Sequence, residues 1–275
     1  MVSTATILFV VFSLFVSLIL PVLLLILFAA RNKKQGIVSA WLLGASGFFV
    51  TQILIRLPIL TALQSQSWFL AFARNHLFLY AFGLAFTAGL FELAGRFAVA
   101  KCLRKNLTYK RSLAAGLGHG GIEAMILIGM TYVNNLIYIA MINSGAFDMV
   151  LAQTSAMGVD VSQLELIREQ LLNTAPALFL LGGFERILAM IAHAAMSMVI
   201  CWGMYSKKVL PCLLTALGIH TFIDLTAGLS LVLPQTTAYV VIYAILIAVA
   251  GLSLWILKDI RRRWQEQEVS HDSEK

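Results

Sequence analysis

The chain is organised as long apolar stretches separated by short polar segments. Seven of these stretches reach or exceed the roughly 20 residues that a helix needs to cross a hydrocarbon core of about 30 Å. They cover residues 4–30, 37–63, 77–100, 113–142, 176–205, 209–233 and 237–257. Inside a bilayer, an isolated segment satisfies its own backbone hydrogen bonds only as a helix. The pattern therefore predicts an all-α fold, a polytopic bundle of about seven transmembrane helices.

The composition agrees with this prediction and indicates an integral membrane protein. Of the 275 residues, 60% are hydrophobic and 12% are charged, and the mean hydropathy is +0.88. Soluble domains carry about 25% charged residues. We therefore expect a multi-pass protein of a cell membrane, of the bacterial plasma-membrane type. Residues 1–257 form a single transmembrane domain with a long loop at 143–175, and residues 258–275 form a polar tail.

The basic residues indicate how the helices are oriented. Lys and Arg collect after the first, third, fifth and seventh apolar stretches, whereas residues 64–76, 143–175 and 234–236 hold almost none. The positive-inside rule then predicts an outer N-terminus, an outer loop at 143–175 and a cytoplasmic tail. The net charge of +7 belongs to the inner membrane surface, where anionic lipid attracts it. The expected partner of this charge is membrane lipid, and not nucleic acid.

The outer loop contains one amphipathic segment. Within residues 161–173, "VSQLELIREQLLN", the apolar residues Val161, Leu164, Ile167 and Leu171 recur near helical spacing. This spacing predicts a short helix on the outer membrane surface. The alternative is a plain connector.

Ionisable residues inside the apolar stretches are few, and each is a candidate for function. Burying one costs roughly 2.5 to 3.5 kcal/mol on insertion scales. They are Arg56, Glu92, Arg96, His119, Glu123, Glu185, Arg186, His193, His220 and Asp224. At about 1.5 Å per helical residue, Glu92 and the three histidines lie between roughly 12 and 21 Å from the nearest cytoplasmic basic residue. Four helices thus bring polar groups to one depth, whereas Glu185 falls near ~33 Å, towards the outer end.

Their spacing indicates shared helix faces. Three pairs are separated by four residues, namely Glu92 with Arg96, His119 with Glu123, and His220 with Asp224. Residues at this spacing project from the same face of a helix. Imidazole nitrogens and carboxylates are ligands that suit zinc, and a nearby carboxylate can take a proton from water. The pattern is typical of a reaction or binding centre.

Packing is the alternative for several of these residues. Membrane histidines often serve as interhelical hydrogen-bonding groups. Arg56 has no evident partner in the sequence, so we assign it to packing. The glycines of "GLGHGG", residues 116–121, either leave room around His119 for water or substrate, or let neighbouring helices approach closely.

Four motifs carry a resemblance to a known family. They are "FELAGR" at residues 91–96, "GHGGIEA" at 118–124, "ERILAMIAH" at 185–193 and "HTFID" at 220–224. In this order on successive helices they resemble the YhfC family of intramembrane peptidases. That family is similar to the CAAX prenyl endopeptidases, the bacteriocin-processing enzymes and the PrsW proteases. The resemblance covers residues 91–224 and implies a polytopic helical enzyme that hydrolyses peptide bonds.

The resemblance also implies roles for individual residues. The candidate catalytic carboxylates are Glu92, Glu123 and Glu185, the supporting residues are Arg96 and Asp224, and the metal ligands are His119, His193 and His220, with zinc as the cofactor. In this family the glutamate of the first motif activates water. The chain departs from the family pattern at Leu93, where relatives commonly carry a second glutamate. Glu123 therefore competes with Glu92 for the role of base.

These observations predict an intramembrane metalloprotease. Its substrate would be a membrane peptide or protein, cleaved within or near the bilayer by a water that a glutamate activates. Two other functions use the same polar cluster. In a multi-pass transporter the ionisable groups would relay protons or bind a solute, and in a membrane scaffold the small-residue faces would bind other helices.

Overall fold

The structure is a computed structural model that describes residues 1–273, apart from the side chains of residue 268 and residues 270–273. The described residues contain helices and no strands. In chain order the longer helices are α1 (Thr4–Arg31), α2 (Ile37–Gln64), α3 (Ser67–Asn75), α4 (Leu77–Leu103), α5 (Tyr109–Ser144), α6 (Ala146–Ala156), α7 (Ser162–Asn173), α8 (Pro176–Tyr205), α9 (Val209–Ala227) and α10 (Gln235–Ser273).

Seven of these helices are long and apolar enough to cross a membrane. They are α1, α2, α4, α5, α8, α9 and α10, and each corresponds to one of the stretches predicted from the sequence. The all-α fold with seven spans is therefore confirmed. The short amphipathic helix predicted within residues 143–175 is also confirmed, as α7, whereas its place on the outer membrane surface stays a prediction. Helices α3 and α6 were not predicted. The sidedness of the termini stays a prediction.

Three of the spanning helices widen locally into π-helical turns. These turns cover Phe15–Ile19 in α1, Phe49–Arg56 in α2 and Ala124–Gly129 in α5. The first two end two residues before Pro21 and Pro58. Proline lacks an N–H and its ring crowds the carbonyl four residues earlier, so the helix loses its regular hydrogen bond there. Such turns often occur at functional sites.

The chain divides into two compact units. The first comprises Met1–Val22 and Ala124–Ile187, and the second comprises Leu23–Glu123 and the chain from Leu188 onward. In the first unit, Val10, Tyr132 and Ile139 form part of a buried apolar cluster. The carbonyl of Phe179 in this unit accepts hydrogen bonds from the Tyr132 hydroxyl at 2.9 Å and from Ser13 Oγ at 2.6 Å.

Glycines in the second unit let α5 pack directly on its neighbours. A Cβ on Gly118 would collide with the carbonyl of Trp41 in α2, and one on Gly120 would come within 2.8 Å of His193 Cβ in α8. Real Cβ contacts are not that short, so both positions need glycine. The glycines around His119 therefore serve close helix packing. This packing also carries His119 into the interior of the unit, where it is 1% exposed.

Glycines also let helix α4 pack closely against α2 and α9. A Cβ on Gly95 would come within 2.6 Å of the carbonyl oxygen of Gly47 in α2. On α9, His220 Cβ lies 3.5 Å from the Cβ position of Gly89. Glu92 lies on α4 between these two glycines. The close approach of the three helices places Glu92 within reach of side chains from both neighbours.

Candidate active site

The candidate site is built around the carboxylate of Glu92, which is 3% exposed. Four nitrogens from four residues surround its Oε2 atom. They are Arg96 Nη2 at 2.8 Å, His220 Nε2 at 2.8 Å, His119 Nε2 at 3.1 Å and His193 Nδ1 at 3.6 Å. These four nitrogens come from α4, α5, α8 and α9. A buried carboxylate needs such partners, because an unpaired charge is costly in a low-dielectric interior.

The other oxygen of Glu92 is held by α2. Gln52 Nε2 donates to Glu92 Oε1 at 2.8 Å and lies 3.2 Å from the Ala88 carbonyl. Gln52 lies in the π-helical turn of α2 and is buried. Its own Oε1 faces Arg56 Nη1 at 3.3 Å. Both oxygens of Glu92 are thus fixed, which sets the orientation of the carboxylate.

His193 connects Arg96 to Glu123. Its Nδ1 lies 2.6 Å from Arg96 Nη2, and its Nε2 lies 3.0 Å from Glu123 Oε2. A guanidinium only donates hydrogen bonds, so Nδ1 must be the acceptor. The neutral imidazole then carries its proton on Nε2, next to Glu123 Oε2. The lone pair of Nδ1 accepts the hydrogen bond from Arg96.

Two histidines have ring nitrogens that make no hydrogen bond among the described residues. His220 Nε2 is close to Glu92 and its Nδ1 lies 3.4 Å from Asp224 Oδ2, yet neither nitrogen is aligned for a hydrogen bond. His119 Nδ1 is likewise buried without a partner. Buried polar atoms are nearly always paired, so these exceptions need an explanation. A ligand bound at the cluster would give the ring nitrogens of His220 a partner.

The donor set fits a metal ion. Glu92, His119 and His193 each offer a ligand atom, and these three atoms lie within 4.8 Å of one another. Nitrogen and carboxylate oxygen are the ligands that zinc takes in catalytic sites, where three protein ligands leave one position open. His220 is not part of this group of three, although its Nε2 contacts Glu92. Arg96 carries a permanent positive charge, which repels a metal cation at this position.

The structure brings together most of the residues predicted from the sequence. Those in mutual contact are Glu92, Arg96, His119, Glu123, His193, His220 and Asp224. Asp224 lies at the edge, with 35% of its side chain exposed. Glu185 is not one of them. It belongs to the first compact unit and forms an ion pair with Arg186, so its catalytic role stays a prediction.

Two residues of the site were missed or misread from the sequence. Gln52 was not predicted, because a neutral amide in a span carries no charge that marks it. Arg56 was assigned to packing because no partner was evident in the sequence, but the structure provides partners for it. Its guanidinium donates to the Leu84 carbonyl at 2.8 Å and faces Gln52. The two residues are four apart in α2, and this spacing was the available signal, since it brings both onto one helix face.

Comparison with known proteins adds an independent finding. The YhfC intramembrane metalloprotease family model matches residues 16–247. The chain is also 29% identical over 263 residues to the membrane protein YhfC of Bacillus subtilis (strain 168), an alignment that covers 94% of this chain and 98% of the relative. No solved structure matches the chain. The matched segment contains every residue of the cluster described above.

Proposed function

Because the chain belongs to the YhfC intramembrane metalloprotease family, we propose that it hydrolyses peptide bonds of membrane-embedded or membrane-proximal proteins. One observation carries the proposal. Four helices direct three histidines and an arginine at a single buried carboxylate oxygen of Glu92. Ionisable residues in a membrane span are expensive, so a cluster of this kind marks a functional site.

The residues that would hold the metal follow from the ligand atoms. Glu92, His119 and His193 form the group whose atoms are close enough to share an ion, and His220 lies beside it. We propose zinc, because imidazole and carboxylate ligands suit it. Bound zinc would lower the pKa of a coordinated water and polarise a carbonyl group. In this arrangement Glu92 is a ligand, with its second oxygen fixed by Gln52.

Glu123 is then the better candidate for the general base. Its Oε2 contacts His193 Nε2 at 3.0 Å, and 13% of its side chain is exposed. In peptide hydrolysis the water oxygen bonds to the carbonyl carbon, the C–N bond breaks, and the water proton passes to the leaving nitrogen. A carboxylate next to the ligand set is suited to take that proton and return it. Glu92 is less suited, because donors contact both of its oxygens.

His220 and Asp224 would stabilise the reacting carbonyl oxygen. Both ring nitrogens of His220 lack aligned partners, so one of them is available to donate to an oxyanion. Asp224 lies 3.4 Å from His220 Nδ1 on the same helix face. A carboxylate there would orient the ring, and a ring N–H is a donor that stabilises an oxyanion.

The test is a cleavage assay combined with metal analysis. Purified protein in liposomes is incubated with membrane-spanning peptides, and new termini are found by mass spectrometry. We expect cleavage, close to one zinc per chain, and loss of both in His119→Ala. His76→Ala is the matched control, since His76 lies between α3 and α4 and not in the cluster. Cleavage by metal-free protein would favour a glutamate-and-water mechanism with Glu92 as base. Equal cleavage by the wild type and His119→Ala would exclude this site.

A further inference from the structure

A polar cavity, separate from the Glu92 cluster and called the second cavity below, lies at the helix ends of the second unit. It has a volume of about 830 Å³ and is lined by the segment before α2, the segment between α4 and α5, the first turn of α5 and the end of α8. Four of its lining residues are basic, namely Lys34, Arg104, Lys105 and Arg111, and none is acidic. The cavity shares no lining residue with the Glu92 cluster.

The four cations have no anionic partner among the residues that the structure describes. None of them forms an ion pair with a residue that the structure describes. The Nε atom of Arg111 is buried and has no hydrogen-bond partner among the described residues. Its guanidinium carbon lies 3.4 Å from the Cβ position of Gly36. Like charges gathered in one cavity repel one another, so their arrangement favours an anion between them.

Backbone and side-chain donors add to the positive charge. Gly36 lines the cavity and precedes α2, whose first turn has no side-chain cap. The first N–H groups of a helix therefore lack an intrahelical acceptor and carry a partial positive charge. Asn106 and Thr108 contribute further polar side chains to the wall. Arginine and lysine together with helix amides are the donors that proteins use for phosphate.

We propose that this cavity binds a phosphate-bearing anion. Met204 and Tyr205 at the end of α8 give it an apolar wall next to the cations. The lining segments are the basic connections that the positive-inside rule assigns to the cytoplasmic surface, where anionic lipid headgroups lie. The phosphate group is the shared chemistry of two sources, a lipid headgroup and free phosphate.

Binding to purified wild-type protein in detergent distinguishes the sources. The probes are phosphatidylglycerol, inorganic phosphate, and a diacylglycerol with the same acyl chains and no phosphate. We expect the wild type to bind at least one phosphate probe and to prefer it to diacylglycerol. Binding of phosphatidylglycerol alone identifies a lipid headgroup as the source. Binding of inorganic phosphate shows that a free phosphate group is sufficient.

Two double variants test the location. Arg104→Gln with Lys105→Gln removes two exposed cavity charges, and we expect phosphate-probe binding to weaken by about 30-fold. Arg262→Gln with Arg263→Gln removes the same charge from α10, where both residues pair with Asp259 outside this cavity. This control is expected to bind within about two-fold of the wild type. Equal weakening in both double variants, or a wild type that does not prefer a phosphate probe to diacylglycerol, would overturn the proposal.

Discussion

Arg96 Nη2 lies 2.6 Å from His193 Nδ1 and 2.8 Å from Glu92 Oε2. These contacts use two of the three residues that could share a metal ion. The guanidinium is always charged, so it and a metal cation compete for His193 and Glu92. In this arrangement the Arg96 guanidinium stabilises the buried carboxylate of Glu92.

This competition predicts the effect of Arg96→Gln on metal affinity. Removing the guanidinium charge should raise zinc affinity by about 10-fold, because one positive charge that repels the metal is lost near the ligand atoms. The measurement is a zinc titration against a competing chelator. Arg74→Gln on α3 is the matched control, since Arg74 is not in the cluster. A 10-fold fall in affinity would instead assign Arg96 to holding the ligands in place.

Gln52 should act on the metal through Glu92. Gln52→Leu keeps a side chain of similar size but removes the hydrogen bond to Glu92 Oε1. Partners that orient a ligand typically contribute 10- to 100-fold to metal affinity or activity. We expect a loss of about that size in zinc affinity and in kcat/KM. Gln64→Leu, at the exposed end of the same helix, should leave both unchanged. Equal behaviour of the two variants would contradict an orienting role for Gln52.

Gly118→Ala should destabilise the protein through packing alone. The added Cβ would collide with the backbone of Trp41, and such overpacking typically costs about 1 to 3 kcal/mol. Gly83→Ala is the matched control in α4, because no other atom lies within 4 Å of its Cβ position. It should be neutral or slightly stabilising, since alanine favours helix. Thermal unfolding in detergent measures both changes, and equal stability of the two variants would contradict the close approach of α2 and α5.

The fold was predictable because hydrophobic length is a strong local signal. Each spanning helix follows from its own apolar stretch, without knowledge of its neighbours. Helices α3 and α6 are short and lie between spans, where no stretch of membrane length marks them. The π-helical turn at Phe49–Arg56 was also not anticipated, although Pro58 lies close by. Gln52 lies in this turn and is buried, and the hydrophobic pattern does not encode that position.

The site was predictable to the extent that charge in a membrane is rare. Glu92, His119, His193 and His220 were found because each stands out in an apolar stretch and at one depth. Their contacts could not be derived, since rotation and tilt of each helix depend on packing at residues such as Gly118. The contact between Arg96 and His193 links two helices whose relative rotation the sequence does not specify. Glu185 was included because it is an ionisable residue in an apolar stretch and belongs to the third motif.

Sidedness is the next prediction, and single-cysteine labelling tests it. Cysteines placed in residues 143–175 should react with an impermeant reagent added outside the cell. Cysteines placed in residues 103–111 should react only after permeabilisation, because this connection is basic. Labelling with the opposite sidedness would contradict the proposed orientation of the second cavity towards the cytoplasmic surface.

The most direct test of the proposed hydrolysis is the fate of the water oxygen. Purified protein cleaves a membrane-spanning peptide in ¹⁸O-labelled water, and mass spectrometry examines the new C-terminal carboxylate. The account predicts that one ¹⁸O atom is incorporated, that Glu123→Gln slows the appearance of this product by roughly 10²-fold, and that Glu165→Gln does not. Glu165 is a matched control because it lies exposed on α7, outside the cluster. Absence of labelled product from the wild type, or formation of that product by Glu123→Gln at the wild-type rate, would contradict the account.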